Sequence, residues 1–315
     1  MLSNDSSDLI SRLKARGART VALQFPEGLK RRSAGIAKDL KAAGFEVIIS
    51  GDPCYGACDL ALDTMPPADI LVHFGHAPVD ERTNVLFERV AMDFDITSLN
   101  AALPTIRGSR VGVVTTVQHA HLIPRILEYL KEQGIDCRVS DATVRTPCPG
   151  QVLGCSFSAA KIPEAEIILY IGTGMFHALG VALATKKRVI ALDPYTGTIQ
   201  EANPEPLLRK RFVLIEKAKK AATIGILLST KSGQNRLELA KRLAAFSDKA
   251  FLVTMREVSP GELLNLGFDC YVNTACPRLA YDDQARFPVP VLSPTEFEIA
   301  LGVRSWDDYT VDEIE

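Results

Sequence analysis

Three stretches of this chain begin in the same way, and that repetition constrains the fold more than any other feature. Val21-Ala-Leu-Gln-Phe-Pro, Val111-Gly-Val-Val-Thr-Thr and Ile224-Gly-Ile-Leu-Leu-Ser-Thr are short apolar runs ending in small or polar residues. A run that stays apolar without alternation is the pattern of a parallel strand buried on both faces. Each is followed by a stretch of helical character, over residues 33–43, 121–133 and 235–246. The first two end at Gly44 and Gly134, as helix C-termini favour. Second and third strands are expected at 46–50 and 69–73, at 136–140 and 166–170, and at 250–254 and 269–273. A fourth closes each unit near 86–90, 189–192 and 289–292. Strands alternating with helices at this spacing are βαβ units. The expected fold class is therefore α/β, with three related small parallel-sheet domains in a triplicated arrangement. Their expected limits are 1–105, 106–203 and 204–315, the last including a connecting helix over 204–222. Ligands bind outside the carboxyl ends of strands in open parallel sheets, so the three edges are expected to surround a central cleft.

Composition narrows the function. The chain has 315 residues, with 36 Lys+Arg against 38 Asp+Glu and a formal net charge of -2. Proteins that grip a phosphate backbone carry a basic excess, so no direct nucleic-acid contact is expected. No apolar run approaches the roughly 18–20 residues of a membrane helix. The opening MLSNDSSDLISRLKARG lacks an apolar signal core and reads as a polar lead into a short helix capped by Ser6 or Ser7. A cytoplasmic protein without membrane contact is expected. The charges of Arg209-Lys-Arg and of Lys217, Lys219 and Lys220 read as the solvated face of the connecting helix. The acidic segment 306–315 reads as a loose tail.

The cysteines carry the chemistry. Seven thiols in a reducing compartment are no disulfide framework. Cys137 and Cys270 fall inside expected strands and read as packing residues. Cys54 and Cys58 lie in the loop Gly51-Asp-Pro-Cys-Tyr-Gly-Ala-Cys-Asp after a second strand, and Cys148 and Cys155 in Pro147-Cys-Pro-Gly-Gln-Val-Leu-Gly-Cys after another. Cys276 lies in Asn273-Thr-Ala-Cys-Pro-Arg at the end of a third strand. Every repeat thus places a cysteine in a Gly/Pro-rich loop at the edge where ligands bind. Zinc usually takes four Cys/His ligands with a compact CxxC pair, which is absent. An iron–sulfur cluster also prefers thiolates, and three protein ligands leave one iron open. Spacing alone decides neither between Cys54 and Cys58 nor between Cys148 and Cys155.

Tyr55-Gly-Ala-Cys58-Asp, Gly150-Gln-Val-Leu-Gly-Cys155 and Ala275-Cys276-Pro-Arg resemble the three cluster-ligand motifs of the archaeal diphthamide synthase family, the 2-(3-amino-3-carboxypropyl)histidine synthases. Gln24-Phe-Pro-Glu-Gly-Leu29, Leu192-Asp-Pro-Tyr195 and Thr230-Lys-Ser-Gly-Gln234 are similar to that family as well, so the resemblance runs in order over residues 20–300. It implies three truncated α/β domains around a [4Fe–4S] cluster held by Cys58, Cys155 and Cys276. Cys54, Cys137, Cys148 and Cys270 are then dispensable for cluster binding. It also implies reductive cleavage of S-adenosylmethionine at the γ-carbon, which releases 5′-methylthioadenosine. The 3-amino-3-carboxypropyl group goes to an imidazole carbon of a histidine in elongation factor 2, the first step of diphthamide formation. A homodimer and a separate, unidentified electron donor are implied too. The ordinary radical-enzyme loop CxxxCxxC is absent, since Asp59-Leu-Ala follows Cys58. The ligands must therefore come from separate domains.

Other side chains at the strand ends are candidates for contact with S-adenosylmethionine. These are Gln24 and Glu27 after the first strand, Gly172, Thr173, Gly174 and His177 in the second domain, Asp193 for a ribose or a turn, and Gln234 in the third domain. His73 and His76 occupy the corresponding loop of the first domain, and His119 and His121 mark a helix entry. The competing functions are a quinolinate synthase-like [4Fe–4S] dehydratase, whose flanking motifs differ, and a non-catalytic iron–sulfur electron-transfer subunit. A sugar- or nucleotide-binding module with incidental cysteines is a third class and would need no iron.

Overall fold

The computed structural model describes residues 6–65 and 67–314. Met1–Asp5, the polar lead, and Glu315 lie outside the described residues. Among the described residues no helix is long and apolar enough to cross a membrane.

Three sheets account for the repeats. The first contains β1 (Thr20–Gln24), β2 (Glu46–Ile49), β3 (Ile70–Phe74) and β4 (Val85–Glu88). The second contains β5 (Val111–Thr115), β6 (Cys137–Arg138), β7 (Ile167–Ile171), β8 (Arg188–Leu192) and β9 (Ile199–Glu201). The third contains β10 (Ile224–Ser229), β11 (Ala250–Met255), β12 (Cys270–Asn273) and β13 (Val291–Leu292). The strand orders are β2-β1-β3-β4, β6-β5-β7-β8-β9 and β11-β10-β12-β13. In each, the opening strand of the repeat lies between the second and third. All pairings are parallel except β8 with β9, an antiparallel edge that the sequence pattern does not announce. The central strands β1, β5 and β10 are buried almost throughout and apolar up to their polar carboxyl ends, because helices or loops cover both their faces.

The helices end where sequence chemistry ends them. Gly44 and Gly134 follow the helices Ser33–Ala42 and Ile123–Glu132 with φ of 95° and 76°, a conformation that only glycine adopts without strain. The first helix runs Ser7–Ala15 with Ser6 at its N-cap; the Ser6 hydroxyl donates to Asp39 instead of capping the helix.

Three expectations are corrected. The boundary at residue 105 cuts through a helix, Leu103–Ile106, that belongs to the second core. Ile96, Leu99, Leu103 and Ile106 pack there with Val113, Leu130 and Leu169. Each buried apolar side chain contributes about 1.5–3 kcal/mol, which fixes where this segment docks. The face of the connecting helix (Glu205–Ala218) is only partly solvated. Lys217, Lys219 and Lys220 are exposed, but Arg211 is 1% exposed. Its guanidinium donates to both oxygens of Glu296, which is fully buried, and to the carbonyls of Ala280 and Val291. The acidic segment is not loose either. Tyr309, Val311 and Ile314 are buried, Arg236 holds both oxygens of Asp312 at 2.8 and 2.7 Å, and Lys161 pairs with Glu313.

Candidate metal centre

The three cysteine loops leave the carboxyl ends of their sheets and meet. Cys58 follows β2 through the loop of residues 50–59. Cys155 sits at the tip of a tight turn in which Leu153 and Ser156 exchange backbone hydrogen bonds. That turn is tied to the sheet by the bonds Thr115 N to Gly150 O and Val152 N to Thr115 O. Cys276 follows β12 in a turn built by Asn273, whose side chain donates to the Cys276 carbonyl at 2.8 Å and accepts from Ala275 N at 3.0 Å. A rigid strand end thus fixes each thiol.

Neighbouring domains then interlock around them. Gly233 N donates to the Cys58 carbonyl at 3.2 Å, and a Cβ on Gly233 would lie 2.5 Å from the Cys58 Cα, so only glycine fits. The Gln234 amide Nε2 donates to Cys58 Sγ at 3.2 Å. Arg145 Nη2 lies 3.6 Å from Cys155 Sγ and 3.3 Å from the Gly233 carbonyl, while its Nε is buried without a partner. Ile314 N donates to the Cys155 carbonyl at 2.7 Å. The exposed Arg278 lies over the Phe176 ring, 4.4 Å from its centroid, and a Cβ on Gly154 would strike both. Lys231 joins the first and third domains by pairing with buried Asp59 at 2.9 Å and with Glu257 at 2.8 Å.

The thiols act on one another electrostatically. Burial pushes the Cys276 thiol up to about 12, with the nearby Cys58 and Cys155 adding to the effect. Burial also raises Cys58; the Gln234 hydrogen bond opposes the rise, and Cys155 adds to it. Without a metal the Cys58 and Cys276 sulfurs keep their protons, and three thiolates this close require a cation between them.

Cys137, Cys148 and Cys270 lie apart from this set. Cys137 and Cys270 are buried in β6 and β12, and the Cys148 thiol accepts from Arg89 at 3.1 Å. Cys54 is buried in the Cys58 loop, with its thiol raised to about 12 by burial.

The candidate contacts for S-adenosylmethionine divide. Gln234 reaches the centre. The stretch Gly172-Thr-Gly174 leads to Phe176 and His177, beside Gly154 and Arg278 and hence beside Cys155 and Cys276. Thr173 and Gly174 are exposed there, and His177 is held near 4 by burial and by Arg278. Gln24 is corrected: it is 2% exposed, donates to Asp59 O and accepts from Ala61 N, so it braces the Cys58 loop from within. Asp193 serves a turn, its Oδ1 accepting from Tyr195 N and Thr196 N. Glu27 is exposed and pairs with Lys30 at 2.7 Å, away from the thiols. His119 and His121 bind Met92 O and Asp93 across the domain junction.

Arg145 and Ile314 escape the sequence reading, whereas Gly233 and Arg278 stood there only as members of the motifs Thr230-Lys-Ser-Gly-Gln234 and Ala275-Cys276-Pro-Arg, with no role of their own. A cavity of about 780 Å³, lined in part by Arg145, Lys161, Gln234, Arg236 and Asp312, opens beside the centre.

Fold and site together define a class: an α/β protein of three related modules whose three converging thiols belong to no single module. The sequence profile of the diphthamide synthesis proteins matches residues 25–311. The chain belongs to that family. It is 38% identical to the 2-(3-amino-3-carboxypropyl)histidine synthase of Pyrococcus horikoshii, over 98% of this chain and 92% of that one. It is 31% identical to subunit 1 of the corresponding synthase of Caenorhabditis elegans, over 93% of this chain and 78% of that one. The crystal structure of Dph2 from Pyrococcus horikoshii with a 4Fe-4S cluster superimposes with a TM-score of 0.92 at 37% identity, covering 98% of this chain and 93% of that chain.

Proposed function

We infer that this chain is a 2-(3-amino-3-carboxypropyl)histidine synthase that performs the first step of diphthamide synthesis, with a [4Fe–4S] cluster held by Cys58, Cys155 and Cys276. The observation that carries this is the meeting of cysteine loops from separate domains, where Gln234 donates to Cys58 Sγ and Arg145 lies between Cys155 Sγ and the Gly233 carbonyl beside Cys58. The donor set fits the group. Thiolates are soft ligands suited to iron–sulfur clusters. The Gln234 N–H and the Arg145 guanidinium are already directed at two of the sulfurs. When bound by three thiolates, such a cluster supplies one electron and an iron open to a further ligand.

The chain's own residues do the rest. Gln234 and Arg145 favour negative charge on the sulfurs, the usual means by which a protein tunes a cluster. Gly233 and Gly154 remove side chains that would hold the three loops apart. S-adenosylmethionine is the co-substrate in this reading. Thr173, Gly174 and His177 face it from the second domain, and Gln234 and Arg145 from the third and second. The acceptor is a protein histidine, in elongation factor 2. His177, neutral above about pH 4, presents an uncharged ring that does not repel a sulfonium. A separate one-electron donor and a homodimer complete the reading, and the protein works in the cytoplasm.

The test is anaerobic purification with iron and sulfide analysis, followed by incubation with dithionite, S-adenosylmethionine and archaeal elongation factor 2. Near four iron per chain, 5′-methylthioadenosine and an acceptor histidine carrying one aminocarboxypropyl group are expected, the last two only after reduction. Cys58→Ala, Cys155→Ala and Cys276→Ala lose iron, whereas Cys137→Ala, Cys148→Ala and Cys270→Ala keep it. Iron retained in Cys155→Ala and lost in Cys148→Ala moves the second ligand. Formation of 5′-deoxyadenosine with an unmodified acceptor refutes the reaction.

A further inference from the structure

We propose that Cys54, His73 and His76 form a second metal site, for Zn²⁺, distinct from the three-cysteine centre. β3 ends in His73-Phe74, and Gly75 turns the chain with φ of 88°, so that His76 comes back over His73. The ring centroids lie 5.1 Å apart, and His73 Nε2 is 2.9 Å from His76 Nδ1. Cys54 enters from the loop after β2. Its Sγ and one nitrogen of each ring all lie within 4.8 Å of one another. Cys54 is 3% exposed and His73 fully buried.

The tautomer of His73 is fixed by its neighbours. Gln24 Oε1 accepts from Ala61 N, and Gln24 Nε2 donates to Asp59 O, so the amide cannot be turned. His73 Nδ1, 2.8 Å from that oxygen, therefore carries the hydrogen and donates it. Its Nε2 is left with a lone pair aimed at His76 Nδ1. A histidine whose far N–H is donated to a fixed carbonyl, with the other nitrogen free, is oriented as metal-bound histidines are. The space between the two rings takes either a proton from His76 or a cation.

The donor set names the cation. Two imidazole nitrogens and one thiolate suit zinc, whereas magnesium and calcium need oxygen ligands and an iron–sulfur cluster needs more sulfur. Tetrahedral zinc separates two nitrogens by about 3.3 Å, so the rings part by only a few tenths of an ångström. Binding displaces the Cys54 proton to solvent, and water takes the fourth position. The remaining positive charge is met by the adjoining group of Asp59, Lys231 and Glu257, two carboxylates sharing one ammonium. Zinc at this place ties the loop that carries Cys58 to the end of β3.

This inference does not depend on the function proposed above, because it concerns a different metal. The experiment is elemental analysis and zinc-edge X-ray absorption on the anaerobically prepared holoprotein after dialysis against ZnSO₄ and removal of the excess. About one zinc per chain is expected beside the iron, with a shell of one sulfur at about 2.3 Å and nitrogen or oxygen at about 2.0–2.1 Å. Cys54→Ala and, as a milder change, His76→Gln should each lower the zinc at least tenfold without lowering iron. Failure to take up zinc overturns the proposal. So does a sulfur-only shell, which would place zinc at the other cysteines, and so does full zinc retention in Cys54→Ala. Zinc without iron would leave it standing and count against the cluster instead.

Discussion

At the scale of single residues, the centre depends as much on what is missing from Gly233 as on the thiols. A methyl group there would lie 2.5 Å from the Cα of Cys58, a backbone atom that cannot swing aside. Gly233→Ala should therefore push the first and third domains apart at this point and cut iron loading several-fold. The circular dichroism spectrum should be unchanged, since no core is touched. Full iron content in that variant would show that the loops have slack. The sequence shows this glycine only as a member of the motif Thr230-Lys-Ser-Gly-Gln234; its role was illegible there for a physical reason, because the requirement comes from Cys58, far away in the chain, and not from its own turn. The cysteines were legible because their Gly/Pro-rich loops at strand ends are local features. The choice among them came from motif resemblance and not from spacing.

At the scale of elements, the apolar runs gave up the strands readily, because a parallel strand covered on both faces must be apolar throughout. The connecting helix was harder. Arg209-Lys-Arg looks like a solvated run, yet Arg211 turns inward to a carboxylate 85 positions later. The residue's burial is set by a partner that periodicity does not reveal. A buried pair is expensive to break, since the remaining charge has neither water nor partner. Arg211→Ala should lower stability to urea by about 3–5 kcal/mol. The double change Arg211→Met with Glu296→Leu, which leaves no orphaned charge, should recover most of the loss. A single-variant effect below about 1 kcal/mol would contradict the burial described for both partners.

At the scale of the whole molecule, three sheets that share the order of their first four strands meet at the centre, and the second sheet's core borrows residues 96–106 from what precedes it. Apolar side chains also remain outside. Phe212 and Val213 on the connecting helix are 45% and 52% exposed, and Phe251 and Leu252 on the edge strand β11 are 53% and 44% exposed. The proposed homodimer has surface of this kind to draw on. Light scattering should give about twice the 34.3 kDa of one chain at micromolar concentration; the mass of a single chain would remove the dimer from the reading. Gln234 donates to a sulfur 176 positions earlier in the sequence. Contacts of such separation close late, after the local strand–helix units have formed. Iron offered to a half-folded chain finds scattered cysteines with no common geometry. Loading is then a form of proofreading, in which only a molecule with all three modules docked acquires the means to react.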